Sequence, residues 1–146
     1  MNFRKVRVVC LTIAVVLCAG WMIHAWWKSR ALQQRLLAAS HVTVVGLKNS
    51  FPPELTIEFE NAGDAIIGQT HFRLAFEVDG KEISRADEDH GDFKPGERRR
   101  IILRSRSPNP APSSVSYPAS AKYTLVVIPE WKEQLPVIAG EFRLNR

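Results

Sequence analysis

The stretch that most constrains this chain is Val8 to Trp27, twenty residues of which only Thr12 and His24 are polar and none carries a formal charge. At 1.5 Å rise per residue a helix of that length reaches about 30 Å, the thickness of a bilayer's hydrocarbon core. The sequence therefore predicts one membrane-spanning helix over 8–27, behind a short N-terminal flank (1–7) and ahead of everything else. A cleaved secretory signal fits less well. Its apolar core runs to about 7–15 residues, whereas Trp21, Met22, Ile23, Ala25, Trp26 and Trp27 carry the apolar character past the small residues Ala19 and Gly20. Trp21, Trp26 and Trp27, followed by Lys28 and Arg30, have the form of an aromatic belt with a charged stop, the membrane-anchoring set. Leu17 before Cys18 argues against a lipidated cysteine.

The basic flanks alone do not fix the orientation. Arg4, Lys5 and Arg7 precede the span and Lys28, Arg30 and Arg35 follow it, so the basic residues tie at three each. A long C-terminal domain crosses a membrane largely regardless of its charge, which favours an inside N-terminus and an outside domain. Both cysteines, Cys10 and Cys18, lie in the expected span and leave the domain no disulfide. That composition points to a bacterial inner-membrane protein with its C-terminal domain in the periplasm, where disulfides are permitted but not required.

The net charge of +5 invites a nucleic-acid reading, and its distribution removes it. Residues 1–40 hold six basic and no acidic residues, so residues 41–146 hold 14 basic and 15 acidic. A domain near neutrality lacks the basic footprint that nucleic acid requires. Residues 28–40 keep helical spacing through Leu32, Leu36 and Ala39 and read as a short stalk.

From His41 the period changes to two. Val42 and Val44 open a strand that Phe51-Pro52-Pro53 ends. Leu55, Ile57 and Phe59 alternate with Thr56, Glu58 and Glu60, and Asn61-Ala62-Gly63-Asp64 closes that strand. Phe72, Leu74, Phe76 and Val78 form the clearest inward row, and Asp79-Gly80 is a hairpin signal leading through Glu82-Ile83 into a hydrophilic crossing. Phe93-Lys94-Pro95-Gly96-Glu97 turns into a strand with Ile101 and Leu103 on one face. A proline-rich loop runs from Ser107 to Pro118, Tyr123 to Ile128 reads as a central strand, and Val137 to Leu144 as the last. About seven strands in 41–146 predict an all-β antiparallel sandwich, immunoglobulin-like or fibronectin-type, with an antiparallel barrel as the alternative.

Phe59-Glu60-Asn61-Ala62-Gly63, Val78-Asp79-Gly80 and Phe93-Lys94-Pro95-Gly96-Glu97 together resemble the layout of FxLYD-type domains and similar immunoglobulin-like sandwiches behind single bacterial membrane anchors. The resemblance covers residues 55–105 and rests on turns. The element that names the family reads here Phe72-Arg73-Leu74-Ala75-Phe76, without its Tyr-Asp. Tyr123, after Ala119-Ser120-Ala121-Lys122, resembles the tyrosine corner of fibronectin-type sandwiches, in which a phenol hydroxyl pins a loop. These resemblances imply adhesion, assembly or scaffolding.

Few residues offer chemistry. Asp87, Asp89 and Asp92, within Asp87-Glu88-Asp89-His90-Gly91-Asp92, are the only candidate metal ligands, and an EF-hand reading fails because Arg98 stands where the bidentate glutamate belongs. The four histidines have no metal-site spacing, and the domain has no Cys or Met for copper, so no cofactor is expected. No serine sits in a nucleophile elbow. A Glu58 and Glu77 carboxylate pair would need the right geometry, and two exposed sheet positions are the commoner explanation. No catalytic residue is expected, and the chain reads as a non-enzyme.

The sharpest surface signal is an arginine stripe. With Ile101 and Leu103 inward, Arg98, Arg100, Arg104 and Arg106 face outward together as a candidate binding face. Their repulsion calls for an offset, either from the acidic run Asp87 to Asp92 with Glu82 or from an anionic ligand such as a lipid headgroup, an acidic glycan or an acidic protein. Arginine on an edge strand also discourages sheet-to-sheet aggregation. The expectation is a membrane-held accessory or assembly subunit with a protein partner in an envelope complex, the alternative an envelope binder of acidic glycan or anionic lipid.

Overall fold

The computed structural model describes residues 3–106, 116, 118–130 and 132–145, with side chains described from Ile13 onward. Most of the expected proline-rich loop lies outside the described residues. The chain divides into two compact units, Met1–Arg35 and Leu36–Arg146.

The first unit is helix. Helix α1 spans Phe3–Ala39 and so contains the 8–27 stretch and all of the expected stalk except Ser40, which opens the first strand. Its apolar residues gather on no one side. Val15, Val16 and Leu17 are all exposed, and so are Trp21, Met22 and Ile23. Among the described residues no helix is long and apolar enough to cross a membrane. The expected span over 8–27 therefore has no support from the described residues.

The second unit begins ahead of the expected boundary at His41. Leu36 is buried in the sandwich core, and Leu37 and Ala39 pack against it. The Ser40 hydroxyl donates to the Leu36 carbonyl at 2.7 Å, satisfying one of the carbonyls that a helix end leaves without a partner. The backbone then extends at once into β1 (Ser40–Lys48).

Six further strands follow: β2 (Glu54–Asn61), β3 (Thr70–Val78), β4 (Lys81–His90), β5 (Arg98–Arg104), β6 (Ala119–Pro129) and β7 (Ile138–Leu144). They form two antiparallel sheets, ordered β1-β2-β5 and β4-β3-β6-β7. This is a β-sandwich. The inward rows are those the alternation predicts: Leu55, Ile57 and Phe59 from one sheet meet Phe72, Leu74 and Phe76 from the other, all fully buried. At 25 cal/mol per Å2 each such side chain stabilises the fold by about 2–3 kcal/mol relative to exposure. The β3–β4 hairpin turns on Asp79 and Gly80, both at positive φ, the left-handed pair that matches strand twist.

Two expectations change. The stretch after Ile83 is no hydrophilic crossing but the remainder of β4, which runs to His90; as an outer strand it exposes alternate side chains, and polarity there is what an edge requires. Tyr123 does not act as a corner. Among the described residues its hydroxyl makes no hydrogen bond; its ring lies over Gly140, its cross-strand partner on β7, and tilts against Phe142.

Two of the three motifs that carried the resemblance, the turns after Phe59 and after Phe93, prove to be one structure. Asn61 is fully buried. Its Nδ2 donates to the carbonyls of Ala65 and Phe93, both at 2.8 Å, and its Oδ1 accepts from the Gly63 amide at 3.0 Å. Its backbone amide donates to the Glu97 carbonyl and its carbonyl accepts from the Gly96 amide. The two turns after β2 and before β5 are thereby fastened to each other. Phe93 packs on Phe59 beneath them, with ring centroids 4.3 Å apart. Gly96 is at φ +71°, where a side chain would be strained.

Candidate functional site

Strand β5 carries the candidate face. Arg98, Arg100, Ile102 and Arg104 are exposed while Ile101 and Leu103 are buried, as period two demands. Among the described residues β5 is an outer strand of its sheet, paired only with β2. The register sets Arg98 opposite Glu60, Arg100 opposite Glu58, Ile102 opposite Thr56 and Arg104 opposite Glu54. Directly opposed side chains in an antiparallel pair stand about 5 Å apart, so each of the three arginines has a glutamate directly across the ladder.

The expected source of the offset is therefore corrected. Glu60 and Glu58 of β2, rather than the acidic run 87–92, answer Arg98, because the ladder sets them beside it. The Arg98 Nη2 donates to both Glu60 oxygens at 3.0 Å, and its Nε lies 3.5 Å from Glu58. The Glu60 hydrogen bond, reinforced by the charges of Glu60 and Glu58, raises the Arg98 pKa further above its already high value. On the far side of β2, Lys48 of β1 holds Glu54 at 3.3 Å. Arg100 and Arg104 make no ion pair among the described residues.

Arg106 does not share the face. After Arg104 the Ser105 hydroxyl donates to the Pro53 carbonyl at 2.6 Å, and the chain crosses to the other sheet, where the amides and carbonyls of Arg106 and Arg85 bond reciprocally. An open groove of about 460 Å3 runs there, lined by Arg85, Arg104 and Arg106 together with Glu82, Asp87 and Glu88. The acidic residues expected to meet the stripe meet only this end of it.

Arg99 points the other way. Its guanidinium lies 4.4 Å from the centroid of the Phe93 ring, and donates to Glu97 and to the carbonyls of Gly91 and Asp92. The Lys94 backbone amide first, then Arg99, hold the Glu97 carboxyl below the usual carboxylate range.

The metal candidates are scattered by the strand that holds them. Asp87 and Asp89 sit on β4, where Asp87 accepts from Arg73 at 3.0 Å and Asp89 lies 2.9 Å from His71 Nδ1. Glu88, one residue out of phase, reaches His90 instead, and Asp92 lies beyond the strand's end. Among the described residues no group of three His, Cys, Asp or Glu converges to hold a metal ion. Glu58 and Glu77 do not form a pair either: they stand on the outward sides of different sheets, with the core between them.

On α1, Trp21, Trp26 and Trp27 are exposed. Trp26 meets Trp27 edge to face at 5.8 Å, and the Arg30 guanidinium, one turn on, lies 4.7 Å from the Trp26 ring centroid. Lys28 is exposed beside them.

The β2 glutamates are what sequence reasoning missed at this site. The signal was present: Glu54, Thr56, Glu58 and Glu60 complement Arg104, Ile102, Arg100 and Arg98 term by term once the two strands run antiparallel.

No family model matches the sequence, and no curated protein matches it. Several solved structures show a similarity to this chain. A β-glucuronidase from Bacteroides uniformis is similar at 11% identity and TM-score 0.50, over 73% of this chain and 13% of that one. A β-glucuronidase of glycoside hydrolase family 2 is similar at 11% identity and TM-score 0.48, over 73% of this chain and 11% of that one. A FixG-related protein from Vibrio parahaemolyticus is similar at 10% identity and TM-score 0.45, over 74% of this chain and 96% of that one. This chain thus spans only a small part of the glucuronidases it resembles, and the likeness concerns the sandwich alone.

Proposed function

We propose that this chain is a bitopic bacterial inner-membrane protein whose periplasmic sandwich, of immunoglobulin-like or fibronectin type, serves without catalysis as an accessory or assembly subunit of a larger envelope complex. The observation that carries the reading is the circumference of α1. Successive helical residues are 100° apart, so three exposed apolar neighbours such as Val15, Val16 and Leu17 cover more than half of it. A helix apolar on all sides requires lipid or protein around it rather than water. The charge-free stretch Val8 to Trp27, the tryptophans at its end and the basic residues beyond them support lipid.

The second reading, an envelope binder of acidic glycan or anionic lipid, is favoured by Arg100 and Arg104, whose guanidiniums have no ion-pair partner among the described residues.

Affinity purification of the full-length chain from solubilised membranes separates the two readings. A subunit retains stoichiometric protein partners, while a binder of glycan or lipid retains none. Extraction at alkaline pH tests the anchor: release of the chain into the soluble fraction would overturn the membrane assignment.

A further inference from the structure

Among the described residues the arginine strand has one occupied side and one open side. Along Arg98–Arg104 the ladder reaches only β2, and among the described residues no backbone hydrogen bond is made from these residues in the other direction. The open edge is bounded at one end by the Arg85 and Arg106 bridge and at the other by the Arg99 side chain bonded to Gly91 and Asp92. Between these limits Arg100 and Arg104 flank Ile102, which is 46% exposed. The two arginines, four residues apart on a strand, are separated by about 13 Å.

The occupied side shows what such a strand accepts. β2 presents Glu54-Leu55-Thr56-Ile57-Glu58, with Glu54 opposite Arg104, Thr56 opposite Ile102 and Glu58 opposite Arg100. These carboxylates do not use up the arginines, for Glu54 is held by Lys48 and Glu58 is approached by Arg98. A strand of the same pattern laid on the open edge would gain main-chain hydrogen bonds and meet both free guanidiniums with carboxylates. Pairing with β5 of a second copy would not serve, since β5 against β5 sets arginine opposite arginine.

We infer that the open edge of β5 is a docking site for an extended acidic segment of another protein, patterned Glu-apolar-neutral-apolar-Glu, which adds to the β1-β2-β5 sheet as a fourth strand. The inference gives a chemistry to the partner of the proposed subunit and so rests on that reading. It also assigns Arg100 and Arg104 a different task from Arg98, which is committed within the fold.

The test uses the full chain in detergent micelles and a fluorescent peptide containing Glu-Leu-Thr-Ile-Glu, read by anisotropy. The peptide should bind and slow amide exchange within 99–104; a version with lysine for glutamate, and one with N-methylated alternate amides, should not bind. Arg100→Gln with Arg104→Gln should weaken binding at least about tenfold. Arg100→Glu with Arg104→Glu should transfer preference to the lysine peptide, a gain that misfolding cannot produce. Equal binding of the N-methylated peptide would overturn strand addition, leaving only charge attraction. Unchanged binding by the glutamine variant, or no binding at all, would overturn the site. A chain that retains protein partners yet ignores the peptide defeats this inference and spares the subunit reading; one that binds the peptide but purifies without partners defeats the subunit reading.

Discussion

Asn61 and the arginines of β5 are close in the fold and opposite in kind. Asn61 is one neutral amide, fully buried, with its side chain spent on three hydrogen bonds that join two turns. The arginine row is charged, exposed, and only partly answered by the carboxylates beside it. Burial makes the difference. Removing the amide would leave the Ala65 and Phe93 carbonyls without that donor in a site that water does not enter readily, whereas water replaces whatever an exposed guanidinium loses. Polar groups inside this sandwich fix its form, and charged groups outside it are free to select what touches it.

That contrast can be broken by three measurements. Asn61→Ala should give the largest effect, destabilising the sandwich by about 3 kcal/mol, read as a lower urea midpoint at unchanged slope. Arg98→Ala should move the same midpoint by a small fraction of that amount despite removing contacts to both Glu60 and Glu58. Equal shifts for the two variants would erase the distinction drawn between them. The smallest effect belongs to Glu97, whose folded pKa is lowered by the Lys94 amide and Arg99. A lowered folded pKa contributes stability above the unfolded value and loses it as pH falls through the folded value. Glu97→Gln should therefore flatten the stability profile slightly across that acidic window and leave it parallel to the parent at neutral pH. A variant that changed slope at neutral pH instead would place the titrating group elsewhere.

The inward rows of the sandwich were legible because burial writes itself as alternation: Leu55, Ile57, Phe59 and Phe72, Leu74, Phe76 need no partner to be recognised. The extent of β4 was not, because an outer strand is polar at alternate positions and Asp87-Glu88-Asp89-His90 looks like solvated chain until its hydrogen bonds to β3 are known. The outward direction of Arg98, Arg100 and Arg104 was legible for the same reason as the core. What answers them was not, since register is a long-range fact: nothing near Arg100 in sequence says that Glu58 stands opposite. Arg106 was assigned to the row because parity was extended past Ser105, where the chain changes sheets. Asn61 was recognised as part of a turn, but its tie to the Phe93 turn joins residues far apart in the chain and leaves no local trace.

The Tyr123 ring over Gly140 has a consequence for inheritance. A methyl group at position 140 would stand 2.5 Å from the tyrosine ring. Each residue therefore restricts the mutations open to the other, and the order in which they change matters. A lineage that first replaces the tyrosine by something small can afterwards place a side chain at 140, while one that begins at the glycine must pass through a crowded intermediate. Descendants of this sequence should keep the two together or exchange them together.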